Sequence, residues 1–336
     1  MKEAMLYERL DGKRVKCNLC SRRCLILDGK RGFCGVRENR EGVLYSLVYG
    51  RCASWAIDKI EKKPFYHFFP GTDSFSFATV GCNFRCLHCQ NWEISQAKEI
   101  FGEELSPQQI VQLAKRYRCH GIAYTYTEPT IFFEYAYDTA ELARKEGLYN
   151  VFVTNGYMTP ETIKEMKNID ASRIDLKSMN DKFYREICSA TLEPVLNSIK
   201  LLHKKGHIEI INLVIPTKND SDEELKELAK WVAELDKDIP LHFTAFYPAN
   251  KMLDVPPTPL KTLEKARKIA MEEGVRYVYT GNVPGHEGEN TYCYNCGELL
   301  IERYGFNILK YNITDDKRCP KCGKNIKIVT ELAKSI

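Results

Sequence analysis

No run of apolar residues in this chain approaches the roughly 20 that a membrane-crossing helix needs, which argues against a membrane-spanning protein. Charge of one sign is lacking too. Lys and Arg number 49 against 45 Asp and Glu, and a formal net charge of +4 over 336 residues gives no electrostatic case for nucleic acid or an anionic membrane. The opening Met-Lys-Glu-Ala-Met-Leu-Tyr-Glu contains acids and has no apolar centre, so it does not read as a secretory signal. A cytoplasmic location is expected. Cysteine, by contrast, is plentiful, with 14 residues. In a reducing compartment so many thiols read as metal ligands rather than disulfides.

The cysteines fall into three groups. Cys17, Cys20, Cys24 and Cys34 form C-x2-C-x3-C-x9-C; Cys82, Cys86 and Cys89 form C-x3-C-x2-C; Cys293, Cys296, Cys319 and Cys322 form C-x2-C-x22-C-x2-C. The last set is the zinc-ribbon pattern of paired knuckles, with a rubredoxin-type iron site as its competitor. Gly297 and Gly323 follow the second cysteine of each knuckle, where a tight turn is needed. The first set suits structural zinc or an auxiliary iron–sulfur cluster, zinc being preferred. Cys52, Cys119 and Cys188 stand apart and read as small buried apolar residues. The middle triplet has no adjacent fourth cysteine. Four cysteines would saturate a cubic iron–sulfur cluster, whereas three leave one iron free to bind a small molecule.

Between residues 74 and 280 strand and helix patterns alternate. Apolar, β-rich runs lie at 74–80, 120–126, 150–155, 172–177, 207–215, 241–247 and 275–279. Helix starts are marked by Ser106-Pro107 with Gln109, Ser221 with Glu224, and Thr258-Pro259; Gly147, Gly206 and Gly274 mark helix ends. The pattern predicts parallel βαβ units, about six of them, and hence an α/β fold built on an open, partial (β/α)6 TIM-like barrel rather than a closed eight-unit one. Three segments are expected: a four-cysteine module over 1–52, the barrel over 53–285, and a zinc-ribbon or rubredoxin-like module over 286–336. Polar motifs follow nearly every predicted strand, at the end where such barrels do their chemistry. In the fourth run, alternation puts Asp175 and Lys177 on one face, opposite Ile174 and Leu176.

Val-Gly-Cys-Asn-Phe-Arg-Cys-Leu-His-Cys-Gln-Asn-Trp (80–92) resembles the signature of the radical S-adenosylmethionine (SAM) superfamily. With Thr-Glu-Pro (127–129), Thr-Asn-Gly-Tyr (154–157) and Ile-Asp-Leu-Lys (174–177), the barrel resembles the pyruvate formate-lyase activating enzymes. The blocks Cys-Asn-Leu-Cys-Ser-Arg-Arg-Cys (17–24) and Ile-Glu-Lys-Lys-Pro-Phe-Tyr-His-Phe-Phe-Pro-Gly (60–71), with the terminal ribbon, make the whole chain resemble the AmmeMemoRadiSam system radical SAM proteins.

The resemblance implies a 4Fe-4S cluster on Cys82, Cys86 and Cys89, with SAM on the open iron and reductive cleavage to a 5′-deoxyadenosyl radical that abstracts hydrogen from a substrate. It implies SAM contacts from His88, Tyr126, Thr127, Glu128, Thr154, Asn155, Asp175 and Lys177. Asn212 is a substitute for an arginine that grips the SAM carboxylate in activases. The usual Gly-Gly-Glu-Pro is here Tyr126-Thr127-Glu128-Pro129, and Val153 replaces an acid tied to a monovalent cation, so no such cation is expected. Implied partners are a ferredoxin- or flavodoxin-type electron donor and proteins of the Memo and AMME-candidate-region families. The activase likeness suggests a partner-protein substrate. Competing readings are a radical SAM enzyme acting on RNA or a small molecule, and a zinc-binding adaptor without catalysis. The basic residues of the last ribbon, Lys317, Arg318, Lys321, Lys324 and Lys327, read as a solvated face.

Overall fold

Residues 1–332 are described in a computed structural model, so the last four positions of the expected C-terminal module lie outside it. The centre is an eight-stranded sheet: β1 Ser54–Lys59, β2 Asp73–Ala78, β3 Gly121–Tyr124, β4 Tyr149–Thr154, β5 Ala171–Asp175, β6 His207–Val214, β7 Leu241–Ala245 and β8 Val278–Gly281. Spatial order follows chain order. β1 and β2 are antiparallel, with Ser54 opposite Ala78, and all later neighbours are parallel. Six helices make the crossovers between the parallel strands: α1 Pro107–Arg116, α2 Phe133–Lys145, α3 Pro160–Glu165, α4 Glu193–Lys205, α5 Asp222–Leu235 and α6 Leu260–Glu272. Among the described residues no ladder joins β8 back to β1 or β2, so the sheet is open. No helix is long and apolar enough to cross a membrane.

The parallel strands read as near-continuous apolar runs because both faces are covered; every residue of β3, β4 and β7 is buried. β1 escaped the sequence pattern because one face is open and its burial alternates. The last strand sits a few residues later than the apolar run at 275–279. Arg276, two residues ahead of the strand, spends its amide on the Lys237 carbonyl (2.9 Å) and its guanidinium on Asp238.

Helix starts match the sequence unevenly. Ser106 and Gln109 form the full reciprocal capping box of α1. Ser221 caps α5, but the Glu224 side chain turns away to accept from the Met179 amide at 2.7 Å. Thr258 does not cap α6. Its hydroxyl donates to the Val214 carbonyl (2.5 Å) and accepts from the Phe246 amide (2.8 Å), stitching β6 to β7 instead. Gly147 and Gly274 end helices at positive φ, whereas Gly206 is extended.

Ahead of the sheet, two small antiparallel sheets hold residues 2–46. They are joined to the centre by a fully buried ion pair, in which the Arg37 guanidinium donates to both Glu134 carboxylate oxygens of α2 at 2.9 and 2.7 Å. The 60–71 block is tied to β6, where the buried Glu209 carboxylate accepts from the Tyr66 and His67 amides at 3.0 and 2.8 Å. A three-stranded sheet, Thr291–Tyr292, Leu299–Tyr304 and Asn307–Tyr311, follows β8.

Candidate active site

Cys82, Cys86 and Cys89 lie on the loop after β2, at the C-terminal end of the parallel strands. Gly81 opens the loop at φ +96°, where an added Cβ would stand 2.5 Å from Val36 Cγ1 and 2.9 Å from the Cys34 carbonyl. The amino-terminal cysteine region therefore presses on the triplet loop at a point that only glycine tolerates. From behind, the Arg85 and Leu87 amides donate to the carbonyls of Cys188 (3.0 Å) and Ile187 (2.9 Å). Arg22 donates to the Asn83 carbonyl at 2.6 Å and to that of Ser189, and Arg85 donates to the Phe33 carbonyl.

The thiols are poised for metal rather than water. Burial, then the charge of Glu128 and then Cys86, push the Cys82 thiol pKa well up, so its proton leaves readily only in exchange for a cation. Cys86 is buried and hydrogen-bonded to Cys188, while Cys89 Sγ lies 3.2 Å from Ser95 Oγ. Cys188, read from sequence as a plain buried thiol, is thus a neighbour of the triplet.

The loops after β3 and β4 meet at Glu128. Its buried carboxylate accepts from the Thr130 amide (3.0 Å) and hydroxyl (2.5 Å), the Thr154 hydroxyl (2.7 Å) and the Asn155 amide (2.8 Å). Burial raises its pKa, and these bonds oppose the rise. Glu128 is therefore held as a brace between loops. Asn155 passes the contact on, donating through Nδ2 to Asn83 Oδ1 of the triplet loop at 2.7 Å. Tyr126 sits at φ +61°, a left-handed conformation that glycine adopts freely, which accounts for glycine in the usual motif. Its hydroxyl donates to Asp58 at 2.5 Å, its carbonyl accepts from Asn91, and the Thr127 hydroxyl donates to the Thr79 carbonyl at 2.9 Å. Lys63, nearly fully buried, contacts Asp58 at 2.5 Å and lies 4.2 Å from the Tyr126 ring centre. Burial lowers its pKa to about 8 against the pull of Asp58.

On β5 the alternation extends one step of two residues further back than the sequence reading took it. Asp175 pairs with Lys177 (2.9 Å) and also with Arg173, a cation on the same face that the motifs did not single out. The same period-2 spacing could have found it. Burial lowers the Arg173 pKa to about 10, with Glu128 opposing. For Lys177, burial disfavours the cation, but Cys86, Cys188 and Tyr184 outweigh it and raise its pKa. His88 is buried near Phe183, and burial followed by Lys177 lowers its pKa to about 3, so the ring is neutral. Asn212 donates to the Leu176 (2.9 Å) and Lys177 (3.1 Å) carbonyls, while its buried Oδ1 has no partner. Of the nine residues expected to contact SAM, Tyr126, Thr127, Glu128, Thr154 and Asn155 brace loops, Asp175 and Lys177 are paired with each other, and His88 and Asn212 carry unpartnered atoms.

The ribbon thiols converge. All four ligand atoms of Cys293, Cys296, Cys319 and Cys322 lie within 4.8 Å of one another, with Cys293–Cys322 at 3.6 Å and Cys296–Cys319 at 3.7 Å. A tetrahedron with metal–sulfur bonds of about 2.3 Å has edges of about 3.8 Å. The knuckles are near copies, the Gly297 and Gly323 amides each donating at 2.9 Å to the first cysteine's carbonyl. Replacing Cys319 and Cys322 with alanine is expected to release one metal equivalent while the absorbance of a triplet-bound cluster persists, as read by metal analysis and the visible spectrum. Among the described residues, the N-terminal thiols are not drawn to this single-ion spacing. Cys17, Cys20 and Cys34 are buried and Cys24 is partly exposed.

A 4Fe-4S cluster with one iron open to SAM fits these residues. Three thiols share one loop, and the buried Asn83 Nδ2, His88 Nδ1 and Asn212 Oδ1 have no partners. Residues 77–232 match the family model of the Radical SAM superfamily. The chain is 54% identical over 334 residues to the uncharacterized protein MJ0808 of Methanocaldococcus jannaschii, covering 98% of this chain and 100% of that one. It is 24% identical over 161 residues to the pyruvate formate-lyase-activating enzyme of Clostridium pasteurianum, covering 46% and 67%. In fold it is like Streptococcus suis SuiB bound to S-adenosylmethionine, with a TM-score of 0.51, 14% identity, and 64% and 51% of the two chains covered. An open thiol triplet at the strand ends of a parallel α/β sheet, in a chain so matched, identifies a member of the radical SAM superfamily, of one family with MJ0808 and related to the activating enzymes: a radical SAM enzyme.

Proposed function

We propose that this enzyme abstracts hydrogen from a partner protein in the manner of the glycyl-radical activases, as one of the AmmeMemoRadiSam system proteins. The carrying observation is the three-thiol loop that itself holds no fourth cysteine, braced by Asn155 and faced by Lys177. When bound, the cluster and SAM supply a 5′-deoxyadenosyl radical by one-electron reduction. The chain's own part is to hold SAM and keep water away. In this reading His88 and Asn212 offer SAM their unsatisfied atoms, and Asp175, steadied by Arg173 and Lys177, takes a polar group of it. A ferredoxin- or flavodoxin-type donor in a cytoplasmic setting would deliver the electron. Memo-family and AMME-candidate-region-family proteins are the candidate partners.

Zinc is our assignment for the terminal ribbon. Zinc is also our preferred metal for Cys17, Cys20, Cys24 and Cys34, with an auxiliary iron–sulfur cluster as its competitor. Anaerobic metal analysis then gives about four irons and two zincs per chain, against about eight irons and one zinc with an auxiliary cluster. The function is tested by incubating the reduced holoenzyme with SAM and a co-purified Memo-family protein. Transfer of deuterium from labelled partner into 5′-deoxyadenosine is expected, and absence of transfer from any candidate protein would reject the activase reading.

Asp175→Asn keeps the shape but removes the charge. It is expected to raise the SAM concentration for half-maximal cleavage several-fold at matched iron content. The carboxylate is 27% exposed and the asparagine keeps a polar group against Arg173 and Lys177, so only a small fall in melting temperature is expected. A large fall in melting temperature with unchanged SAM dependence would make the cluster of charges structural only.

A further inference from the structure

Away from the thiol triplet, a cleft of about 480 Å³ lies between the last barrel elements and the terminal ribbon. One wall is Lys237, Arg267 of α6 and the stretch Arg276–Tyr279 leading along β8; the other is Tyr292 and Tyr294 at the first knuckle. β8 ends the central sheet and Thr291–Tyr292 ends the ribbon sheet, so the cleft separates two sheet margins. Its volume is that of a small-molecule site.

The lining is chemically one-sided. Three cations and four tyrosines face the space, and no carboxylate does. Arg276 is neutralised by Asp238, at 2.9 and 3.1 Å, and its guanidinium lies 4.3 Å from the Tyr294 ring centre, a planar platform. The other two cations are free of acids. Arg267 donates through Nε to the Val278 carbonyl (3.1 Å), and among the described residues neither it nor Lys237 has a carboxylate partner. Tyr277, 3% exposed, adds a buried hydroxyl without a hydrogen-bond partner. Two uncompensated cations beside tyrosine rings, Tyr277 and Tyr294 meeting edge to face, match a ligand that carries phosphate at one end and a flat ring at the other.

We propose that this cleft is a binding site for a nucleotide, its phosphates on Lys237 and Arg267 and its base against the tyrosine rings. Because Cys293 and Gly297 also line it, an occupied cleft would tie the ribbon to the barrel. The assignment is independent of the radical chemistry.

The test uses the full-length, metal-loaded protein under anaerobic calorimetry with SAM present in excess, so that adenosine-like binding at the cluster is already satisfied. GTP and UTP are expected to bind, guanosine not to, and inorganic phosphate only weakly. The double variant Lys237→Gln, Arg267→Gln is expected to weaken nucleotide binding by about tenfold per charge removed while SAM cleavage stays unchanged. Absence of nucleotide binding, or binding unaffected in the double variant, overturns the proposal. Inorganic phosphate binding as tightly as GTP would overturn the part assigned to the rings. A short oligonucleotide that binds far more tightly than GTP and loses this in the double variant would make the cleft a nucleic-acid groove instead.

Discussion

Cys82→Ala, Cys86→Ala and Cys89→Ala are each expected to abolish the formation of 5′-deoxyadenosine and methionine from SAM under strong anaerobic reduction. Each removes one of three thiolates, and no spare ligand waits in the sequence next to them. Cys188 is the exception to consider, because it touches Cys86. Its carbonyl and the neighbouring Ile187 carbonyl are bonded to the loop, so its Cα is fixed behind Cys86 and it cannot stand in for Cys82 or Cys89. Cys119→Ala serves as the control, since that thiol is buried outside all three clusters and should leave cleavage intact. Undiminished product from a Cys82 or Cys89 variant would sink the assignment of the cluster.

The second large effect is on stability. Glu134→Ala is expected to destabilise the protein by about 3–5 kcal/mol, seen as a lowered urea midpoint. Arg37 is 2% exposed and Glu134 is 0% exposed, and Glu134 also accepts from the Met5 amide at 2.7 Å. Truncating the acid leaves a guanidinium buried in a site that cannot hydrate it, which is far costlier than the net worth of the pair. Because the pair joins the amino-terminal sheets to α2, limited proteolysis of the variant should cut first within residues 1–50. An unchanged midpoint would mean that water reaches Arg37 and that the junction is looser than its burial implies.

How much was legible in the sequence follows from how local each signal is. The parallel strands announce themselves because strands covered on both faces must be largely apolar, as in Tyr149–Thr154 with its run Val151–Val153. The thiol triplet and ribbon were legible because metal ligands keep strict spacing. The roles of Glu128 and Thr258 were not, because both spend their oxygens on partners distant in sequence, Asn155 and Val214. A capping pattern cannot reveal that competition. Arg173 lay within reach, one step back along the same alternation that placed Asp175 and Lys177 together. Gly81 and Cys188 lay beyond it, because their significance comes from Val36, Cys34 and Cys86, which only the fold brings alongside.

The backing of the triplet loop has a consequence for biosynthesis. Arg22 reaches across 61 residues to Asn83 and across 167 to Ser189, and the loop's amides wait for the carbonyls of Ile187 and Cys188. On a ribosome Ile187, Cys188 and Ser189, like Asn155 on the other side of the loop, emerge long after the three cysteines. A cluster inserted early would sit on a loop with neither its front nor its rear support, open to oxygen and competing thiols. Maturation is therefore expected to follow translation of the central sheet, with the iron–sulfur delivery machinery meeting a nearly complete chain rather than a nascent one.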